Sequence, residues 1–361
     1  MNNTYQNRLT AVRQQFDNWQ IDALLITSPA NRRWLSGFTG SNAMLLLTPD
    51  QALIATDSRY YERAQMEAPL FSLVKHERTR QHDRQFFQTV SARRIGIEQK
   101  HVTLEQAARW RSLRTGITWR PLAQTVEPLR AIKSAAEIDL MRRAAAITDQ
   151  AMALFPQIAR PGLTEKQLAW ELEKAMMAAG ADGVAFATSV ASGPNSALPH
   201  HTTSTQPLQT GDIIIVDMGA RLDGYHSDMT RTFYLGSEPP PRFWELYRLV
   251  QQAQQTVLQH TRPGMTLLQV DALARDLIHG AGHKEHFGHG LGHGVGLEIH
   301  EDPFLSPRAP EKAALAAGMN ITIEPGIYIP GWGGIRLEDF AWLTADGWQL
   351  LSHAPYQPVI G

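Results

Sequence analysis

The sequence predicts an α/β (α+β) protein of two domains, the second built from two similar halves around a pseudo-two-fold axis. Three observations carry that expectation. Short apolar runs alternate with helical patterns through residues 1–128. The phrase "RPGLTEKQL" at Arg160 returns as "RPGMTLLQV" at Arg262. An apolar hairpin bearing two acids follows each copy. A chain of 361 residues, 43% hydrophobic and 19% charged, can bury cores for two domains.

In the first domain, "ALLIT" (23–27), "AMLLLT" (43–48), "ALIAT" (52–56) and "RIGIE" (94–98) have strand length. "TLEQAARWRSL" then reads as a helix. "VEPLRAIKS" (126–134) is the link to a second domain spanning 134–361. Ser134 and Glu137 fit a capping box, and Ile138, Met141, Ala145 and Met152 follow at helical spacing. These methionines read as core filler, not ligands.

The repeat keeps its register. Gln167 aligns with Gln269 and Gly180 with Gly282, and a helical segment precedes each copy (134–155 and about 242–260). The first hairpin, 211–235, carries Asp217 at the end of an apolar strand, "LDG" as its turn and Asp228 on the return. The second, 319–343, carries Glu324 at a strand end, "PGWGG" as its turn and Glu338 on the return. Asp217 follows Ile213, Ile214, Ile215 and Val216, and Glu324 follows "ITI". Isolated acids near turns are ordinarily solvated. Several carboxylates gathered beside apolar strands are costly unless cations offset them.

No cysteine is present, so any metal must be held by oxygen and imidazole nitrogen. Two divalent cations would meet this need. Hard oxygen donors favour Mn²⁺, with Co²⁺, Fe²⁺ and Zn²⁺ as alternatives. Paired metals would activate a bridging water for amide or phosphate-ester hydrolysis. "FGHGLGHGVGLEIHE" (287–301) supplies the imidazoles, and its glycines let the backbone run close to such a cluster. His293 reads as a ligand, His300 as a donor to a developing oxyanion, and His289 as a pocket residue. "SGPNSALPHH" (192–201) adds His200 and His201 from a loop that can reach the cleft.

The formal net charge of −1 argues against a nucleic-acid or anionic-membrane partner. No stretch has the length of a membrane span. The polar N-terminal segment "MNNTYQNRLT" lacks a signal peptide's apolar region. A cytoplasmic protein is expected.

"VDMGARLDGYHSDMTRT", "GHGVGLEIHE", "TIEPGIYI" and "GIRLED" together resemble the pita-bread-fold metallopeptidases, in the Xaa-Pro peptidase branch of aminopeptidase P and prolidase. "WLSGFTGSNAMLLLT" and "DSRYYERA" resemble the creatinase-like N-terminal domain of that branch. The resemblance implies that Asp217 chelates one metal, that Asp228 and Glu338 bridge both, and that His293 and Glu324 complete the other. Glu324 would handle the proton of the attacking water, and His300 would stabilise the tetrahedral intermediate. His200 and His289 would serve the substrate site, with Arg336 and Tyr328 as further substrate contacts. Arg336 lies two residues before Glu338, so on a strand both face the cleft, or it merely pairs with a ligand acid.

The implied activity is a Xaa-Pro aminopeptidase. A hydroxide bridging the two metals would attack the bond before a proline in second position. The alternative is a prolidase, limited to Xaa-Pro dipeptides. A metal-free hydrolase of creatinase type, or a non-catalytic binding protein on the same fold, should have lost the ligand acids that this chain retains. The resemblance also implies a homodimer.

Overall fold

The computed structural model describes residues 2–113 and 115–361. Met1 of the polar N-terminal segment lies outside the described residues. The chain divides into two compact units, Met1–Arg130 and Ala131–Gly361.

The first unit is built on one six-stranded sheet. Its strands are β1 (Ala23–Ile26), β2 (Met44–Leu47), β3 (Ala52–Thr56), β4 (Ser72–Lys75), β5 (Arg94–Glu98) and β6 (Thr118–Leu122). Their order is β4-β3-β2-β1-β5-β6. The central strand β1 is buried along its whole length, which suits its unbroken apolar run. Phe86, Phe87 and Trp110 pack beside Leu25, Ile95 and Ile97 in the core. The helix Leu104–Arg111 starts at a capping box formed by Thr103 and Gln106. The edge strands β4 and β6 had no counterpart in the sequence reading.

The second unit repeats one construction. The helix Ala135–Ile158 opens at the Ser134–Glu137 capping box, and its buried face includes Ile138, Met141, Ala145 and Met152. The helix Glu165–Ala178 opens at a capping box of Thr164 and Gln167. In the other half, Pro241–His260 is followed by Leu267–Gly280, whose capping box is Thr266 and Gln269. The recurring phrase makes the same backbone bonds twice. Gly162 and Gly264 donate to the carbonyls of Leu208 and Leu315, and Glu165 and Leu267 to those of Gln206 and Ala313. The sequence repeat is thus a structural duplication.

Each helix pair covers its own core. The first packs Phe155, Leu168, Leu172 and Met176 against Ile214, Val216 and Phe233. The second packs Val250, Val257, Val270 and Ile278 against Ile321, Ile323 and Leu343. The sheet of the first half contains β7 (Ser189–Ser192), β8 (Ile213–Met218) and β9 (Met229–Leu235), with Val359–Ile360 on its edge. The hairpin between β8 and β9 closes at Asp223 (φ 45°) and Gly224 (φ 71°), the two positive-φ residues of a primed turn. In the other half, β10 (Gly292–Gly294), β11 (Glu301–Leu305), β12 (Asn320–Ile323), β15 (Asp339–Thr344) and β16 (Gly347–Leu350) form one sheet in the order β11-β10-β12-β15-β16. Between β12 and β15 the chain makes a separate two-stranded ladder, β13 (Gly326–Ile329) with β14 (Gly333–Arg336). The second acidic hairpin is therefore broken in two, and Glu324 and Glu338 stand at the break.

The rings of Phe155 and Phe233 lie 4.6 Å apart and both are buried. Phe155→Ala should destabilise the second unit by about 3–5 kcal/mol, through lost burial and the cavity left behind. Urea unfolding of that unit measures it; an unshifted midpoint would contradict the packing described.

Candidate metal centre

Strand register brings the acids together. Asp217, near the end of β8, pairs with Thr230 on β9, and Asp228 immediately precedes β9. Ile323 pairs with Asp339, so Glu324 and Glu338 extend that ladder by one step on either side. The Glu338 N–H donates to the Thr230 carbonyl at 3.1 Å, joining the two hairpins. Ligand atoms of Asp228, His293 and Glu338 all lie within 4.8 Å of one another. His293 Nε2 is 3.6 Å from Asp228 Oδ2 and 3.5 Å from Glu324 Oε1. His293 Nδ1 faces the carbonyl of Gly294 at 3.1 Å. Donation through Nδ1 leaves the Nε2 lone pair aimed at the acids, the tautomer a metal ligand needs.

The glycines around His293 answer to their neighbours' backbone. A Cβ on Gly292 would overlap the carbonyl oxygen of Thr322, and one on Gly294 that of Asp302. Gly288 would meet nothing. The glycines are expected from the sequence to let the backbone run close to a metal cluster; at Gly292 and Gly294 the close approach is to the neighbouring strands. They let β10 press between β11 and β12, and that closeness seats the imidazole.

Electrostatics marks the cluster. Burial pushes Asp228 well above the usual carboxylate range, and the charges of Glu338, Asp217 and Glu324 push the same way. Burial likewise raises Glu338, helped by Glu324 and Asp217. Burial lifts Glu324 to about 7, with Asp217 adding to the rise and Arg336 opposing it. Asp217 Oδ1 is buried with no hydrogen-bond partner. An orphaned carboxylate oxygen, three further acids and one imidazole aimed inward form a donor set that fits divalent cations.

Arg336 is the counterweight within the chain. Its Nη2 donates to Asp217 Oδ2 at 2.6 Å, its Nε to Thr230 Oγ1 at 3.1 Å, and its Nη1 to the Tyr328 hydroxyl and the Pro199 carbonyl, both at 3.1 Å. Burial alone would lower its pKa, but Tyr328, Asp217, Glu324 and Glu338 together raise it well above normal. Thr230 Oγ1 in turn donates to Glu338 Oε2 at 2.6 Å, and Thr322 Oγ1 to Glu324 Oε1 at 3.2 Å. The sequence reading missed both threonines. Thr230 lies two residues after Asp228 and Thr322 two before Glu324, a period-two signal that could have revealed them. Behind the acids, Arg231 Nη1 donates to the Glu338 carbonyl at 2.6 Å, while its Nη2 reaches Asp339 Oδ1 at 2.8 Å and the Ala354 carbonyl at 2.9 Å.

The other histidines separate clearly. The exposed His300 sets its ring 4.3 Å from that of His293. His289 Nδ1 faces the Gly290 carbonyl at 2.7 Å, so Nε2 accepts from the Tyr328 hydroxyl at 3.0 Å. Burial, with the positive charge of Arg336, holds His289 at about 4. His200 is exposed and follows Pro199, whose carbonyl accepts from Arg336 Nη1 at 3.1 Å. His201 does not face the acids. Its Nε2 lies 2.8 Å from Glu165 Oε2, an acid at a helix start that the sequence reading did not single out.

The sequence model of metallopeptidase family M24 matches residues 139–345. That of the creatinase/prolidase N-terminal domain matches residues 8–132. The chain belongs to metallopeptidase family M24. It is a peptidase of the pita-bread fold with a creatinase-like first domain. The family's chemistry uses divalent metals, which suits the cluster of acids just described. The chain is similar to a Xaa-Pro dipeptidase of Pyrococcus furiosus, at 34% identity over 95% of this chain and 96% of the relative. It is similar to the solved Xaa-Pro dipeptidase of Bacillus anthracis, at 36% identity, TM-score 0.95, and 99% and 100% coverage. It also resembles an X-Pro aminopeptidase of Thermotoga maritima, at 34% identity, TM-score 0.87, and 96% and 99% coverage. Among the described residues no helix is long and apolar enough to cross a membrane.

Two outcomes follow for this M24 peptidase. Gly292→Ala should force β10 away from β12, displace His293 and weaken metal binding by about 10–100-fold; calorimetric metal titration reads the loss, and wild-type affinity would refute the close-approach account. His289 should titrate near pH 4 by NMR, against an ordinary 6.5. Its folded pKa is depressed, so the unfolded chain takes up its proton first. The stability it contributes is complete above pH 6.5 and is lost as pH falls towards 4. A midpoint at about 6 would mean the ring is not enclosed.

Proposed function

We propose that the protein is a Xaa-Pro dipeptidase that uses two divalent metal ions. The observation that carries this reading is the cluster of Asp217, Asp228, His293, Glu324 and Glu338 in a chain whose full-length relatives include Xaa-Pro dipeptidases. The expectation of an aminopeptidase gives way to its alternative, because dipeptidase and prolidase names recur among those relatives. The aminopeptidase reading keeps one specific support, the likeness to the Thermotoga enzyme.

Asp217, Asp228, His293, Glu324 and Glu338 would hold the two ions, and the oxygen-rich set favours Mn²⁺. When bound, such ions polarise a carbonyl and make water a usable nucleophile at neutral pH. The residues supply the rest. Glu324 would take a proton from water and pass it to the leaving proline nitrogen. The exposed His300 imidazole donates a hydrogen bond to the oxygen that gains charge. Arg336 is committed to Asp217 and Tyr328, so its work is to hold a ligand acid and the His289–Tyr328 pair in place. His200, on the exposed rim, meets the dipeptide's carboxylate. A Xaa-Pro amide has no N–H, so a site that does not depend on binding that hydrogen suits it.

The test compares Ala-Pro, Ala-Pro-Ala and Ala-Ala after Mn²⁺ loading. Ala-Pro should exceed the other two in kcat/KM by about tenfold or more. Preference for Ala-Pro-Ala would restore the aminopeptidase reading, and equal cleavage of Ala-Pro and Ala-Ala would remove the proline requirement. Glu338→Ala should lose bound metal by elemental analysis. Its activity should drop by more than the roughly 100-fold typical of an outer-sphere partner.

A further inference from the structure

Glu165 begins the helix Glu165–Ala178 and has no exposed surface. Its carboxylate accepts six hydrogen bonds. Oε1 receives them from Ser192 N (2.8 Å), Ser192 Oγ (2.9 Å) and Asn195 Nδ2 (3.0 Å). Oε2 receives them from His201 Nε2 (2.8 Å), Ser204 N (2.9 Å) and Ser204 Oγ (2.7 Å). Every donor lies between residues 192 and 204. One carboxylate thus pins both limbs of a single loop, and Thr203 adds a stitch from its far limb to Val190 and Thr188.

Between the pinned limbs, Leu198, Pro199 and His200 form an exposed arch. That arch meets the metal centre through the residue just before His200. The Pro199 carbonyl accepts from the guanidinium that holds Asp217, and the exposed His200 follows it directly. Glu165 itself makes no bond to any of the acids.

The duplication shows that the helix start does not require this acid. Holding the register of the repeat, Leu267 occupies the corresponding place in the other half, where it is a core residue. Both helices are already capped by Thr and Gln, and both first residues make the same backbone bond. A carboxylate buried there needs a reason, since its burial is costly unless every lone pair is satisfied. Burial opposes the charge, yet the hydrogen bonds from Asn195, His201, Ser192 and Ser204 hold its pKa at about 2.

We propose that Glu165 is a positioning residue: it fixes the 192–204 loop so that His200 and the Pro199 carbonyl stand at the metal centre. Its effect on turnover rests on the dipeptidase reading above, whereas its effect on the loop does not.

The test uses the full-length Mn²⁺-loaded protein, with Glu165→Gln, Glu165→Asp, His200→Ala and the Glu165→Gln/His200→Ala double variant. Glu165→Gln should keep its full metal content and lower kcat/KM on Ala-Pro by about 10–100-fold. Amide hydrogen exchange should speed up within 192–204 while the helix Ala135–Ile158 keeps its protection. Glu165→Asp should recover part of the loss. In the His200→Ala background, Glu165→Gln should cost less than it does in the wild type, because part of its effect runs through His200. Wild-type loop exchange in Glu165→Gln would overturn the proposal. So would faster exchange throughout the domain, or full multiplication of the two losses in the double variant. If the wild type cleaves no Xaa-Pro bond, the substrate reading fails, and the exchange data alone decide the role of Glu165.

Discussion

Mutual repulsion among buried carboxylates is the constraint around which the second unit is organised. Asp228 and Glu338 are almost wholly enclosed, and Asp217 and Glu324 stand close enough to disturb them. No arrangement of neutral side chains would make that crowd tolerable. Arg336 supplies one fixed positive charge, the hydroxyls of Thr230 and Thr322 hold two of the acids, and the remainder falls to protons or to the divalent cations that the family uses. The register of β8 with β9 and of β12 with β15 reads as geometry serving that balance. So does the pressing of β10 against its neighbours. Each places a charge or an imidazole where another charge requires it.

The duplication sharpens this picture. Two copies of one helical and hairpin unit give a symmetric scaffold, with matching caps and matching backbone bonds. Symmetry ends at the loops. The first half offers an arch held by Glu165, and the second offers the strand with His293 followed by His300 and Glu301. Glu301 is itself held by Lys133 at 2.5 Å, an ion pair buried on both sides. Both halves thus fix a histidine-bearing loop through a buried carboxylate, but with unlike partners.

Much of this was legible in the sequence because it is local. Apolar runs ending in Asp217 and Glu324 declare their strands and their acids together. The Thr-x-x-Gln caps and the Arg-Pro-Gly turns announce the repeat within nine residues. What depends on distant segments was not legible. Glu165 looks like any acid favoured at a helix start, and only the fold brings residues 192–204 to it. Nothing local distinguishes His200 from His201, since the choice rests on which ring meets Glu165. The strands β4 and β6 escaped because they are edge strands without a continuous apolar run, β6 containing Pro121. The length of peptide accepted depends on groups from several segments facing the far end of the substrate, which no single motif encodes.

Arg231 has a further consequence. Its guanidinium ties the backbone of Glu338 to Asp339 and to the carbonyl of Ala354, while Tyr356 lies 4.2 Å over its charge and also bonds Asp339. Segments far apart in the chain must therefore meet before the second hairpin is held. During synthesis, residue 356 would have to leave the ribosome's tunnel before Tyr356 could close over Arg231. Early strands would wait, half-assembled, for late ones, and that interval is when a chaperone would find this chain most in need of shelter.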